Sequence, residues 1–261
     1  MNIISLVPLG VEPHDWEPTP QNVVAVQNSK LFIINGAGFE SWADRLIAAA
    51  GSKDRVVVAS NGIDLLSKRT GATSEQQAMG EEKVAGVVDP HVWLDPTNSQ
   101  QIVLNIANAL AVTQPMNREL YLKNANNLVQ ELATLDNDFK QGLANCTKNE
   151  IFTSHAAFAY LTERYGLIQV PLAGFSPDAE PTPSRMADLI WLGKSSNVTH
   201  IFFETLASPK LAEALAREIG ATALVLNPIE GLTQDEQLQG KNYISIMREN
   251  LHTIRVALDC T

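Results

Sequence analysis

Glu150-Ile-Phe-Thr-Ser-His-Ala-Ala-Phe-Ala-Tyr-Leu-Thr-Glu-Arg-Tyr-Gly-Leu-Ile-Gln-Val-Pro-Leu172 reads as strand, helix and strand in immediate succession. Its two short apolar runs, Glu150–Ser154 and Leu167–Leu172, have the composition of buried strands, and Ala156–Tyr165 between them reads as a helix. The unit recurs downstream. A helix is predicted over Ser184–Ser196 after Pro181-Thr-Pro183, a strand at Thr199-His-Ile-Phe-Phe203 and a helix over Pro209–Ile219. A strand at Ala223-Leu-Val-Leu226 and a terminal helix over Asn242–Leu258 complete the half. Strands that alternate with helices form parallel sheets, with ligands at the carboxyl ends of the strands.

The same rhythm opens the chain. Leu31-Phe-Ile-Ile-Asn35 and Arg55-Val-Val-Val-Ala-Ser60 read as strands flanking a helix through Phe39–Ala50. Lys68–Gly86 is polar, holds Gly71, Gly80 and Gly86, and reads as a flexible loop. A helix is predicted from about Pro96 to Val112, where Pro115 interrupts it. In Arg118–Leu143, Tyr121, Ala125, Leu128, Leu132, Leu135 and Phe139 recur at three- and four-residue steps, the signature of one long helix. The predicted fold class is therefore α/β: two α/β lobes with parallel sheets, residues 1–114 and 146–261, joined by a rigid helix within 115–145. Two lobes around a spine make a cleft.

The 261 residues suffice for this, and a hydrophobic fraction of 45% suits ordinary cores. No run of 18 apolar residues occurs, so no segment reads as a transmembrane helix. A formal charge of −10 argues against nucleic acid, whose phosphates it would repel. The opening Met1–Pro8 is too short and uncharged for a signal peptide and reads as a strand entering a loop, as if upstream sequence were absent. The two cysteines, Cys146 and Cys260, form neither a metal-finger spacing nor a CxxC motif. They are either two buried thiols or one disulfide, which an oxidising compartment would permit.

Chemistry concentrates in three of the five histidines. His14 lies in Val11-Glu-Pro-His-Asp-Trp-Glu-Pro-Thr-Pro20, and His91 in Val88-Asp-Pro-His-Val-Trp-Leu-Asp-Pro96. His155 follows the strand Ile151-Phe-Thr-Ser154 and opens the next helix. Any one alone would read as structural, as His200 and His252 do. Flanking prolines fix the backbone direction of the first two, and Asp15, Asp89 or Asp95 offers an acceptor for the second ring N–H.

Pro13-His14-Asp15-Trp16-Glu17-Pro18-Thr19-Pro20 and Asp89-Pro90-His91-Val92-Trp93-Leu94-Asp95-Pro96 resemble the two signature motifs of the zinc/manganese substrate-binding proteins of bacterial ABC transporters, the cluster A-I group. Thr153-Ser154-His155-Ala156-Ala157-Phe158-Ala159-Tyr160 resembles a third. Ile201-Phe-Phe-Glu204 and Tyr243-Ile-Ser-Ile-Met-Arg-Glu-Asn-Leu251 resemble later landmarks, so the resemblance spans the chain in order. It implies a metal between the lobes, an extracytoplasmic location (periplasm or cell surface), a monomer and delivery to a membrane permease.

The expected ligands are His14, His91 and His155. Three neutral imidazoles favour one Zn(II) per chain, with Mn(II) as the alternative of the same family. A tetrahedral zinc needs a fourth ligand. Relatives often place an aspartate where Asn227 stands in Ala223-Leu-Val-Leu-Asn227-Pro-Ile-Glu-Gly231. Water is the expected substitute, with Asn227 or Glu230 as alternatives. Two further departures are a loop at Lys68–Gly86 without histidine and the lack of a strand–helix unit before the first histidine motif. Three histidines with an open fourth position also suit a zinc hydrolase, but no HExxH or GxSxG motif occurs and an enzyme is not expected. An adhesive module is the other rival. Trp16, Trp42, Trp93 and Trp191 read instead as packing.

Overall fold

The computed structural model describes residues 2–67, 88–175 and 181–261. The loop expected at Lys68–Gly86 lies outside them. The carboxyl-terminal half is built on four parallel strands: β3 (Glu150–Thr153), β4 (Ile168–Pro171), β5 (His200–Phe203) and β6 (Thr222–Val225), in the order β4-β3-β5-β6. Phe152 is in register with both Val170 and Ile201. Helices α5 (Ala159–Tyr165), α6 (Pro183–Ser195) and α7 (Lys210–Ile219) cross between successive strands. Successive strand residues point to opposite faces, and both faces are covered. Phe152, Val170 and Ile201 pack with Leu189 of α6 and with Ala212 and Leu215 of α7. Ile151 and Phe202 turn the other way, into a core with Phe139, Met247 and Ile254.

That second core joins the halves of the chain. Phe139 belongs to α4 (Arg118–Gly142), whose 25 residues span about 37 Å. Met247 and Ile254 belong to α9 (Tyr243–Ala257). α4 packs along both α9 and α3 (Pro96–Thr113). Leu94, three residues beyond His91, is fully buried in the same core. Burying each of these large side chains contributes roughly 1.5–3 kcal/mol.

The amino-terminal half has a two-stranded parallel sheet, β1 (Phe32–Ile34) beside β2 (Val56–Val58), packed by α1 (Pro20–Asn28) and α2 (Ala43–Ala50). Val26, Phe32, Trp42 and Leu46 form its core. α1 is a helix that the sequence reading left unassigned. Thr19 and Asn22 close a capping box and Pro20 occupies its first turn, so the prolines start this helix rather than prevent one. Two expectations are corrected. The segment after His155 stays non-helical until Ala159, and the helix expected from Phe39 begins at Ala43.

Cys146 and Cys260 form a disulfide across 114 residues of sequence. Trp191, expected to pack, is 70% exposed on α6, whereas Trp42 is buried. Among the described residues, no helix is long and apolar enough to cross a membrane.

Candidate metal centre

The three predicted histidines converge. His14 comes from the loop before α1, and its turn is held in three places. Trp42 Nε1 donates to the Pro13 carbonyl at 3.2 Å, Ser41 Oγ to the His14 carbonyl at 3.2 Å, and the Glu12 carboxylate accepts the His14 N–H at 3.0 Å. His91 precedes the 3-10 turn Val92–Leu94 that leads into α3. Asp95 caps α3 through the Thr97 N–H, and Pro96 supplies its first residue. His155 lies just past the carboxyl end of β3, its carbonyl fixed by Thr153 Oγ1 at 2.7 Å and Gln169 Nε2 at 2.9 Å.

A fourth group joins them. Glu230 follows β6 on the adjoining loop, and one carboxylate oxygen, Oε1, faces all three rings. It lies 3.4 Å from His14 Nε2, 3.1 Å from His91 Nε2 and 3.2 Å from His155 Nε2. His91 Nε2 is 3.3 Å from that of His14 and 3.4 Å from that of His155. All four ligand atoms fall within 4.8 Å of one another. A metal at zinc–ligand distances of about 2.0–2.1 Å sets tetrahedral neighbours roughly 3.3–3.4 Å apart. Five of the six separations, at 3.1–3.4 Å, have the size of that tetrahedron's edges.

The rings also point the right way. Asp89 Oδ1 lies 2.7 Å from His91 Nδ1, and Glu204 Oε1 lies 2.5 Å from His155 Nδ1. Each carboxylate accepts a hydrogen bond from Nδ1–H and so keeps that proton on Nδ1, which leaves the Nε2 lone pair for a metal. Of the aspartates read from sequence, Asp89 fills this role. Asp95 instead caps α3 and meets Arg164 Nε at 3.2 Å. Glu204, which also accepts from Ser154 Oγ, sits at the carboxyl end of β5 beside the His155 strand. Only strand order could have revealed its role.

Asn227 turns away from the cluster. Its side chain donates to Glu236 Oε1 at 2.9 Å and accepts the Ile229 N–H at 2.8 Å.

Charge is concentrated and nearly dry. The His91 and His155 side chains are 0% exposed and that of Glu230 1%. Burial opposes the Glu230 charge, yet hydrogen bonds from His14, His155 and His91 hold its carboxyl well below the usual range. Burial likewise disfavours charged His155, but Glu204 first and then Glu230 outweigh it and push the ring up to about 10. His91 is raised too, where Asp89 and Glu230 overcome burial. The metal-free cluster thus holds protons where a cation would sit.

A family model described as the periplasmic component A of the zinc-uptake complex, ZnuA, matches residues 1–257. The chain belongs to the ZnuA family. Among its relatives, the high-affinity zinc uptake system protein ZnuA of Bacillus subtilis (strain 168) is 41% identical over 97% of this chain and 79% of its own length. The zinc-binding lipoprotein AdcA of Streptococcus pneumoniae (strain ATCC BAA-255 / R6) is 36% identical over 99% of the chain, which spans only 52% of that longer protein. The zinc-bound structure of the ZnuA-like domain of Streptococcus pneumoniae AdcA superposes with a TM-score of 0.80 at 34% identity, covering 97% of this chain and 89% of that one. The structure brings the three histidines expected from sequence together with Glu230, one of the alternatives weighed for the fourth position.

Proposed function

We propose that this ZnuA-family chain captures one Zn(II) through Nε2 of His14, His91 and His155 and Oε1 of Glu230, and hands it, as a monomer, to an ABC permease for uptake. The convergence of those four atoms, all within 4.8 Å of one another, carries the reading. Glu230 replaces the water expected as fourth ligand. Three imidazoles and one carboxylate oxygen suit zinc, whereas manganese prefers more oxygen and a larger shell. Four protein ligands leave no open position for activating water, which supports binding rather than hydrolysis. Relatives named as periplasmic or as a lipoprotein support an extracytoplasmic place of action, and the disulfide fits an oxidising compartment.

Calorimetric titration of metal-stripped protein with Zn(II), and separately with Mn(II), tests this. One tight zinc site, weak manganese binding and loss of at least two orders of magnitude in zinc affinity in His155→Ala are expected. Preferential manganese binding, or affinity that survives His155→Ala, would refute the assignment.

A further inference from the structure

Glu230 reaches the cluster from a backbone conformation that its own residues do not favour. Ile229, immediately before it, has φ +58°. The left-handed region is costly for a β-branched side chain, so something outside the residue must hold it there.

Asn227 supplies that hold. Its side-chain oxygen accepts the Ile229 N–H, closing a turn over Pro228. Its amide nitrogen donates to Glu236 Oε1, whose other oxygen accepts from the Thr233 N–H at 2.8 Å and from Thr233 Oγ1 at 2.9 Å. Its backbone is clamped by Asn250 of α9, which accepts the Asn227 N–H at 2.9 Å and donates to its carbonyl at 2.7 Å. All three side chains are buried: Asn227 is 4% exposed, Asn250 2% and Glu236 7%. Both ends of the Glu230 loop are thereby pinned, one at Asn227 and the other at Thr233–Glu236. The same loop braces the histidine segments. The Pro228 carbonyl accepts from Trp93 Nε1 at 2.7 Å, and the Leu232 carbonyl accepts from the Gly10 N–H at 2.9 Å.

We propose that Asn227 is a positioning residue for the metal: paired with Glu236, it sets the turn through Ile229 that places the Glu230 carboxylate against the three histidines. The proposal rests on Glu230 being a ligand. A buried network of this kind works only when each donor meets an acceptor. Here Asn227 must give a hydrogen to Glu236 and take one from Ile229.

The pairing can be broken and restored. Asn227→Asp sets two carboxylates face to face. Adding Glu236→Gln restores a donor, now running from Gln to Asp, while the glutamine oxygen still accepts from Thr233. Zinc dissociation into excess chelator, the visible spectrum of the cobalt(II)-loaded protein and the melting temperature of the metal-free protein would be measured for each variant. Asn227→Asp is expected to release zinc at least tenfold faster and to lower the intensity of the cobalt bands as a solvent ligand enters. The double variant is expected to return both to within threefold of the unmodified chain. Where Asn227→Asp fails to fold, the double variant alone decides.

Melting temperature separates a fold defect from a site defect, since a purely structural role would move it and leave the cobalt spectrum of the folded fraction unchanged. Wild-type cobalt spectra and zinc kinetics in folded Asn227→Asp would overturn the proposal. So would a folded double variant that binds as poorly as Glu230→Gln. Glu230→Gln with unchanged zinc release would instead refute Glu230 as a ligand, a distinct failure.

Discussion

His155 shows how a single side chain prepares the site. Glu204 fixes its Nδ1 proton, and Glu204 and Glu230 together keep a second proton on the metal-free ring up to about 10. Because the folded state holds this proton more tightly than the unfolded chain, whose histidine titrates near about 6.5, two consequences follow. The stabilisation is fully present below about pH 6.5 and is lost as pH rises towards 10, so metal-free protein should melt at progressively lower temperature across that window. Zinc must also expel the proton. Calorimetry in buffers of different ionisation enthalpy should therefore show release of at least one proton per zinc at pH 7, with affinity rising roughly tenfold per pH unit from 7 to 9 for one proton released. Removing the orienting carboxylate in Glu204→Ala should weaken zinc by about 10–100-fold, read by chelator competition. The histidines were legible because each sits in a distinctive local motif, two of them between prolines. Glu230 was visible only as one of three alternatives for the fourth position, and Glu204 not at all as an orienting group: one carboxylate in a sequence looks like another until strand order sets β3, β5 and β6 side by side.

At the scale of elements, strand and helix periodicity carried most of the fold. The strand predicted at the opening Met1–Pro8 does not form, but the other predicted strands of both halves appear with boundaries shifted by a residue or two, because short apolar runs between breakers leave few alternatives. Helix starts were read less well. α1 was not predicted, yet the capping box of Thr19 and Asn22 makes Pro20 its first residue. How the elements are tied was not legible either, since it depends on contacts such as those around Asp136 of α4. Arg164 Nε of α5 lies 2.6 Å from Asp136 Oδ1, Lys140 Nζ 2.8 Å from Oδ2, and Tyr165 OH donates to Oδ1 at 3.0 Å. Burial pushes this carboxyl up, yet Arg164 and Lys140 bring it down to about 2. A depressed folded value contributes stability above the unfolded value near about 3.9 and loses it as pH falls towards 2. Asp136→Asn should then cost about 1–2 kcal/mol at pH 7, discounted for the partly exposed cations, with the difference vanishing between pH 4 and 2 in denaturant titrations. Zinc stoichiometry should stay at one.

For the molecule as a whole, the site belongs to no single part. His14 comes from the loop before α1, His91 from the turn before α3, and His155 and Glu230 from the ends of β3 and β6. On the proposed ligand set one ion couples both halves, and occupancy a thousandfold above Kd should stabilise the fold by about 4 kcal/mol. The Cys146–Cys260 disulfide acts elsewhere, closing 114 residues of the carboxyl-terminal half. On chain-entropy grounds it contributes up to about 4–5 kcal/mol, so replacing both cysteines by serine should lower the melting temperature while zinc stoichiometry and affinity hold. Whether the pair was joined could not be read from two cysteines so far apart; the packing of α4 and α9 in one core brings them together. Zinc-edge X-ray absorption of the loaded protein addresses the central claim most directly. Four coordination by three imidazole nitrogens and one oxygen, at about 2.0–2.1 Å, is predicted. Six coordination, or fewer than three imidazoles, would contradict it.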